Sequence, residues 1–321
     1  MLLSPQPMHI PDGFLSVPVS IILWVISAVM IGIALRKTKV LLEDRQVPLM
    51  GILAAAIFAG QMLNFTVAGG TSGHLLGAAI ATVLLGPWAA ILVMTSVVSV
   101  QAILFQDGGI LALGANIFNM AVVGVLVSYA VFSLVKKLIH KQPLGTFVAG
   151  FLSAWSSIVI ASLACALQLA ISGTSPANIA VPAMAAIHAL IGIGEGLITL
   201  GALAIVFAAR KDLLKISSAR GVSDRGILAG GIGIAVLLAI LSPLASSHPD
   251  GLEWVAEQQG FIGAAREALY SIIPDYSLPG ITSPTLATIL AGIIGVAVVF
   301  GVAFLVGRAD KRTRKLEGSQ E

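Results

Sequence analysis

The apolar positions of this sequence neither alternate nor form one-sided helical stripes. They come in long runs separated by short polar stretches. Nine runs are candidate spans, at about 17–35, 48–68, 74–87, 89–105, 114–135, 145–171, 181–209, 226–245 and 284–307. Runs near twenty residues match the thickness of a bilayer's hydrocarbon core. The third and fourth runs are divided only by Gly86-Pro87-Trp88, a helix-breaking turn, so a short or re-entrant segment is the alternative there. Gly and Ala recur inside the runs, which suits close helix packing in lipid. The pattern predicts an all-α polytopic membrane protein: a helical bundle of about seven spans, then two C-terminal spans around an extracellular loop.

Charge orients this arrangement. Arg36, Lys37, Lys39 and Arg45 follow the first span, and Lys136, Lys137 and Lys141 the fifth. Arg210, Lys211, Lys215, Arg220 and Arg225 follow the seventh, and Arg308, Lys311, Arg312, Arg314 and Lys315 the ninth. Every Lys and Arg except Arg266 lies in these four clusters, and nine spans put all four on one side. Basic loops mark the cytoplasmic face, so the N-terminus is expected outside and the C-terminus inside. Residues 8–16, 69–74, 106–109 and the long loop 246–283 then share the outer face. That loop carries Asp250, Glu253, Glu257, Glu267 and Asp275, which would raise the local cation concentration or simply be solvated.

Composition narrows the class. Of 321 residues, 57% are hydrophobic and 10% charged, so the partner medium is membrane lipid. The net charge of +3 is explained by its placement and gives no nucleic-acid signal. The single cysteine, Cys165, leaves no internal disulfide and no Cys-based zinc site. MLLSPQP lacks a basic stretch ahead of the first run, so that span is expected to stay in the mature protein. A basic linker near 208–225 divides the chain. The expected units are a bundle over 8–210, a two-span unit over 226–307 and a basic cytoplasmic tail over 308–321.

Candidate chemistry collects at the outer face. His9 and His74 each stand at the mouth of a span; either alone could be an interfacial polar residue. If the mature chain begins at Met8, its amine, the His9 amide nitrogen and the His9 imidazole can reach one metal ion through fused chelate rings. His74 could fill the open corner. Such nitrogen donors suit Ni(II) or Cu(II) and can hold Co(II). Asp12 could orient an imidazole or cap the first span. Gln61 and Asn64, one helical turn apart, could bond around the site or tie helices together. His188 and Glu195 share a face of the seventh span, as a proton or metal relay or as a packing pair. Asn116, Asn119 and Gln101 are similarly ambiguous. No GxxxxGK[ST], HExxH, GxSxG or CxxC motif occurs, so the chain carries no P-loop ATPase and gives no support for a hydrolase.

MHIPDGFLS (Met8–Ser16), GGTSGHLLG (Gly69–Gly77), LLGPWAA (Leu84–Ala90) and LALGANIFNM (Leu111–Met120) resemble the CbiM/NikM family over residues 8–210. These are the substrate-binding membrane components of energy-coupling-factor transporters for cobalt and nickel. PDGLE at Pro249–Glu253 resembles a CbiN/NikN-like accessory domain sometimes fused to them. The resemblance implies Co²⁺ or Ni²⁺ as transported substrate, with no resident cofactor. It implies ligands at Met8, His9 and His74, with Asp12, Gln61, Asn64 and His188 as surrounding candidates. It implies a multi-pass protein of a bacterial or archaeal cell membrane, working with a T-type transmembrane coupling subunit and ABC ATPase subunits. Met1–Pro7 depart from the pattern, because Met8 has a free amine only if translation starts there or the extension is removed. The competing expectations are a metal sensor and a metal-dependent membrane enzyme built on His188 and Glu195.

Overall fold

A computed structural model describes residues 8–42, 46–209, 213–214 and 224–317. The helices are α1 (Val17–Leu41), α2 (Gln46–Gln61), α3 (Ala78–Leu85), α4 (Pro87–Phe105), α5 (Leu113–Asn116), α6 (Gly124–Leu138), α7 (Leu144–Ile171), α8 (Ala177–Ala209), α9 (Asp224–Leu241), α10 (Gly251–Gln258) and α11 (Pro284–Glu317). A π-helical segment, Ile117–Val123, joins α5 to α6 into one rod. A single hairpin, β1 (Phe65–Val67) with β2 (Thr71–Gly73), pairs antiparallel with Val67 opposite Thr71.

Among the described residues, seven helical stretches are long and apolar enough to cross a membrane. Their surfaces are inverted relative to a water-soluble bundle. On α1, Ser20, Ser27, Ala34 and Thr38 are buried, while Val17, Ile21, Ile22, Val25 and Val29 are exposed. Small and weakly polar groups let helices approach, and bulky aliphatic groups face lipid. The C-terminal unit shows the same economy of volume. Helices α9 and α11 both pack on α2, and a Cβ at Gly295 would stand 2.1 Å from the Phe58 ring.

Two expected spans differ from their sequence reading. The second was drawn to 68, but α2 stops at Gln61 and the chain turns into the hairpin. Gly69 and Gly70 take φ of 84° and 79°, conformations open to glycine, and close that turn. The third was drawn over 74–87, yet α3 has eight residues, about 12 Å of helix, too short to cross. Gly86 at φ 79° and Pro87 at the first position of α4 break the rod between them. Helix α3 packs on α4.

One end of the bundle gathers four segments. Arg266 N donates to Asp12 O, Gly109 N to Ile10 O, Ser72 N to Pro249 O and Ile273 N to Leu104 O. The N-terminal stretch, the hairpin, the 106–112 loop and the 246–283 segment are thereby sewn together. Of the basic clusters, Arg45, Arg210, Lys211, Lys215 and Arg220 lie outside the described residues. The expected basic tail begins inside α11, which continues to Glu317.

Candidate metal-capture site

The site is built around a carboxylate. Asp107 Oδ1 accepts from Met8 N at 2.7 Å and His9 N at 3.2 Å, and stands 3.1 Å from His9 Nδ1. Three nitrogens of adjacent residues thus converge on one oxygen. The convergence is imposed by the chain around it. Ile10 N donates to Asn116 Oδ1 at 3.0 Å, and Asn116 Nδ2 donates back to Ile10 O at 3.1 Å. Gly108, at φ 93°, leaves room for this approach: a Cβ there would be 2.8 Å from Asn116 Nδ2 and 2.9 Å from His9 Cβ. His9 is buried, and its Nε2 has no hydrogen-bond partner.

Burial and charge act against each other here. Burial alone would lower the His9 pKa, but Asp107 outweighs it and holds the imidazole above its ordinary value. Burial would raise Asp107, but the His9 charge and the hydrogen bonds from His9, Tyr276 and Met8 bring it down to about 2.

His74 approaches from the hairpin. Its ring stands edge-on to His9, with centroids 5.9 Å apart. Its Nδ1 lies 3.3 Å from Asp250 Oδ2. The extended residues after His74 are held from two directions. Glu195 on α8 accepts from Leu76 N at 2.7 Å and Gly77 N at 3.0 Å, and Gln61 Nε2 donates to Leu76 O at 3.0 Å. Non-helical backbone at this depth needs such partners, because lipid offers none.

Met8, His9, His74, His188 and Asp250 line a cavity of about 80 Å³, whose wall also includes Met184 and Cys165. A larger cavity of about 550 Å³ shares Met8, His9 and Asp250 with it. Glu253, Glu267 and Asp275 line this larger chamber against Arg266, a surplus of negative charge that favours cations. Among the described residues, no three of His, Cys, Asp and Glu stand close enough to hold a metal ion by themselves. A cation here would need the main-chain nitrogens at residues 8 and 9.

The surrounding candidates divide. His188 lines the cavity, with Nδ1 2.8 Å from Met184 O. Asp12 neither faces an imidazole nor caps α1: its Oδ1 accepts from Ala112 N at 2.9 Å, and the α1 cap is Ser16. Gln61 acts on the backbone behind His74. Asn64 lies past the end of α2, so the two do not share a helical face, and its buried amide finds no partner. Glu195 spends both oxygens on backbone amides, which removes it from a relay with His188. Asn119 and Gln168 pair across the π segment and α7, at 2.9 and 2.6 Å. Sequence reasoning took Asp107 and Asp250 only as outer-loop acids, and gave Tyr276, whose hydroxyl donates to Asp107 Oδ2, no role at all. Asp107 sits 99 residues from Met8, and no local pattern announces the contact.

Comparison with known proteins agrees with this architecture. Residues 9–213 match the family described as cobalt uptake substrate-specific transmembrane region, and 225–312 match the PDGLE domain. A putative fused nickel transport protein NikMN of Archaeoglobus fulgidus is 36% identical, covering 94% of this chain and 98% of that protein. The fused nickel transport protein NikMN of Rhodobacter capsulatus is 30% identical over 94% and 97% of the two chains. A crystal structure of a truncated transition metal transporter, 34% identical, superposes with a TM-score of 0.56, covering 63% of this chain and 99% of that one. The chain is a multi-pass membrane protein of the cobalt-uptake substrate-specific transmembrane family, fused to a C-terminal PDGLE domain.

Proposed function

We propose that this protein captures Ni²⁺ or Co²⁺ at the outer face of a cell membrane and passes it inward as one component of an energy-coupling-factor transporter. It is a transport protein and not an enzyme, in keeping with relatives named as nickel and cobalt transport proteins. The observation that carries the capture site is the convergence of Met8 N, His9 N and His9 Nδ1 on Asp107 Oδ1, which holds the place an ion would take. With a free amine at Met8 these become three in-plane donors, and His74 supplies the fourth. Nitrogen donors in a plane favour Ni(II) and hold Co(II). Asp107 then places a negative charge beside the divalent ion, and the acidic outer chamber supplies the entry path.

The basic residues that end α1 and α6 support an outer N-terminus and a cytoplasmic C-terminus. The sequence holds no P-loop, so a T-type coupling subunit and ATPase subunits would supply the energy. The same family reading supports a division into a metal-binding bundle over 8–210 and a PDGLE unit over 226–307.

The test combines N-terminal sequencing of protein from its native membrane with equilibrium dialysis against Ni²⁺ and Co²⁺. A free Met8 amine with one bound ion per chain is the expected result. A chain retaining residues 1–7 that binds equally well would remove the amine from the donor set. Uptake of ⁶³Ni in cells with and without the partner subunits separates a transporter from a sensor: uptake should require the partners.

A further inference from the structure

Two side chains of the 246–283 segment end at the capture site. Tyr276 is fully buried; its ring stacks on Phe105 with centroids 4.7 Å apart and planes 15° apart. Its hydroxyl donates to Asp107 Oδ2. Holding Oδ2 fixes the other oxygen, Oδ1, toward the three converging nitrogens. The backbone takes an uncommon shape to deliver this ring. Asp275 and Tyr276 have φ of 50° and 54°, a region that L residues seldom enter. Such outliers persist where the surroundings dictate them, and they cluster at functional sites. The turn is pinned to the end of α4 by Ile273 N donating to Leu104 O.

Asp250 arrives from the opposite side. Its Oδ1 caps α10 by accepting from Leu252 N and Glu253 N, which leaves Oδ2 to face His74. Ser72 N and its hydroxyl donate to Pro249 O and His248 O, so the strand before His74 and the residues before Asp250 are joined. Each imidazole of the site therefore faces a carboxylate that the C-terminal unit either holds or supplies. The two carboxylates act differently: Asp250 stands on one nitrogen of His74 and sets that ring's orientation, whereas Asp107 Oδ1 sits on the three donor nitrogens themselves and holds them together. Loss of such supporting carboxylates commonly costs about 10–100-fold in affinity.

We propose that Tyr276 and Asp250 are positioning residues by which the PDGLE unit completes the capture site, Tyr276 by aiming Asp107 and Asp250 by orienting His74. The inference rests on the capture reading above. It implies that the first 210 residues alone would hold an under-constrained site.

The test uses the full chain in detergent with a free Met8 amine, titrated with Ni²⁺. Tyr276→Phe removes one hydroxyl and keeps the ring in its stack. Asp250→Asn removes the charge and keeps a competent α10 cap. Each is expected to bind Ni²⁺ about tenfold more weakly, with the metal-free unfolding temperature unchanged. The visible band of bound Cu²⁺ should shift in Tyr276→Phe, because the carboxylate beside the ion turns. Phe105→Leu loosens the same stack and spares the hydroxyl; it should lower the unfolding temperature and leave affinity intact. Wild-type affinity in Tyr276→Phe or Asp250→Asn overturns the role given to that side chain. An equal loss in Phe105→Leu assigns Tyr276 to packing. A wild-type chain that binds no Ni²⁺ overturns the capture reading itself, a different result from either.

Discussion

The two histidines of the site are built differently. The His9 side chain is 2% exposed, follows directly on another convergent nitrogen and faces a carboxylate that is itself fully engaged. His74 is 13% exposed, sits at the end of a three-residue strand and faces a carboxylate half committed to a helix cap. The first is fixed before any ion arrives. The second hangs on a hairpin, and its position is inherited from Glu195 and Gln61 behind it. Preorganised donors set affinity, while an adjustable one can admit and release the ion.

The comparison breaks most directly by substitution. His9→Ala should weaken Ni²⁺ binding by more than about 100-fold, beyond what outer-shell changes cost, and His74→Ala by about 10–100-fold. Equilibrium dialysis on both proteins decides the matter; equal losses would erase the distinction drawn here.

Glu195→Ala should come next. It leaves two buried amides without acceptors, for about 2–6 kcal/mol of stability at about 1–3 kcal/mol each. It should also weaken Ni²⁺ binding without touching any donor. Chemical unfolding and dialysis read the two effects, and full stability in the variant would remove Glu195 from the support of His74.

Acidification should act on the Met8 amine, on the His9 amide and, from the structure, on the His9 imidazole. Its pKa lies above the ordinary 6.5 because Asp107 overcomes burial, and only the neutral ring binds metal. Affinity should therefore fall as pH drops through that raised value, starting at higher pH than for an unpaired imidazole. A titration of Ni²⁺ affinity between pH 8 and 5.5 that stayed flat would contradict the donor set.

The smallest effect concerns the larger chamber. Burial first, then Asp250 and Glu257, raise Glu253 to about 7 from 4.5. For an acid with a raised folded pKa, the charged form opposes folding. The penalty is absent below about pH 4.5, grows from there and is complete above about 7. Glu253→Gln should accordingly raise the unfolding temperature at pH 8 and leave it unchanged at pH 4. An equal effect at both would mean the gain comes from packing.

Much of this was legible in the residues. Apolar runs gave most of the spans and Gly86-Pro87 a break between them, because helix length and lipid thickness are both one-dimensional quantities; the second and third runs were drawn too long. Met8, His9 and His74 stood out because chelation by neighbouring donors is a local property, and the structure brings all three to one cavity. Asp107, Asp250 and Tyr276 were hidden because their roles depend on contacts between positions 98 or more residues apart. The hairpin was hidden for another reason. Phe65–Val67 reads as a continuation of the apolar run of α2, and its pairing with Thr71–Gly73 and the bond from Ser246 N to Asn64 O emerge only in three dimensions.

The π segment carries a consequence of its own. Asn116, just before it, holds the backbone under His9, and Asn119, within it, bonds to α7. A wider turn is a natural insertion point: it accommodates a residue that an α-helix would not. Deleting one residue between Ile117 and Val123 should therefore relax the rod into ordinary helix and leave the fold intact. A deletion ahead of Asn119 would turn that side chain by about 100° relative to Asn116, while α6 beyond the segment would keep its facing, because the wide turn had absorbed the extra residue. The shortest possible change to this chain would leave a well-formed bundle in which the prop under residues 9 and 10 and the tie to α7 no longer stand in register.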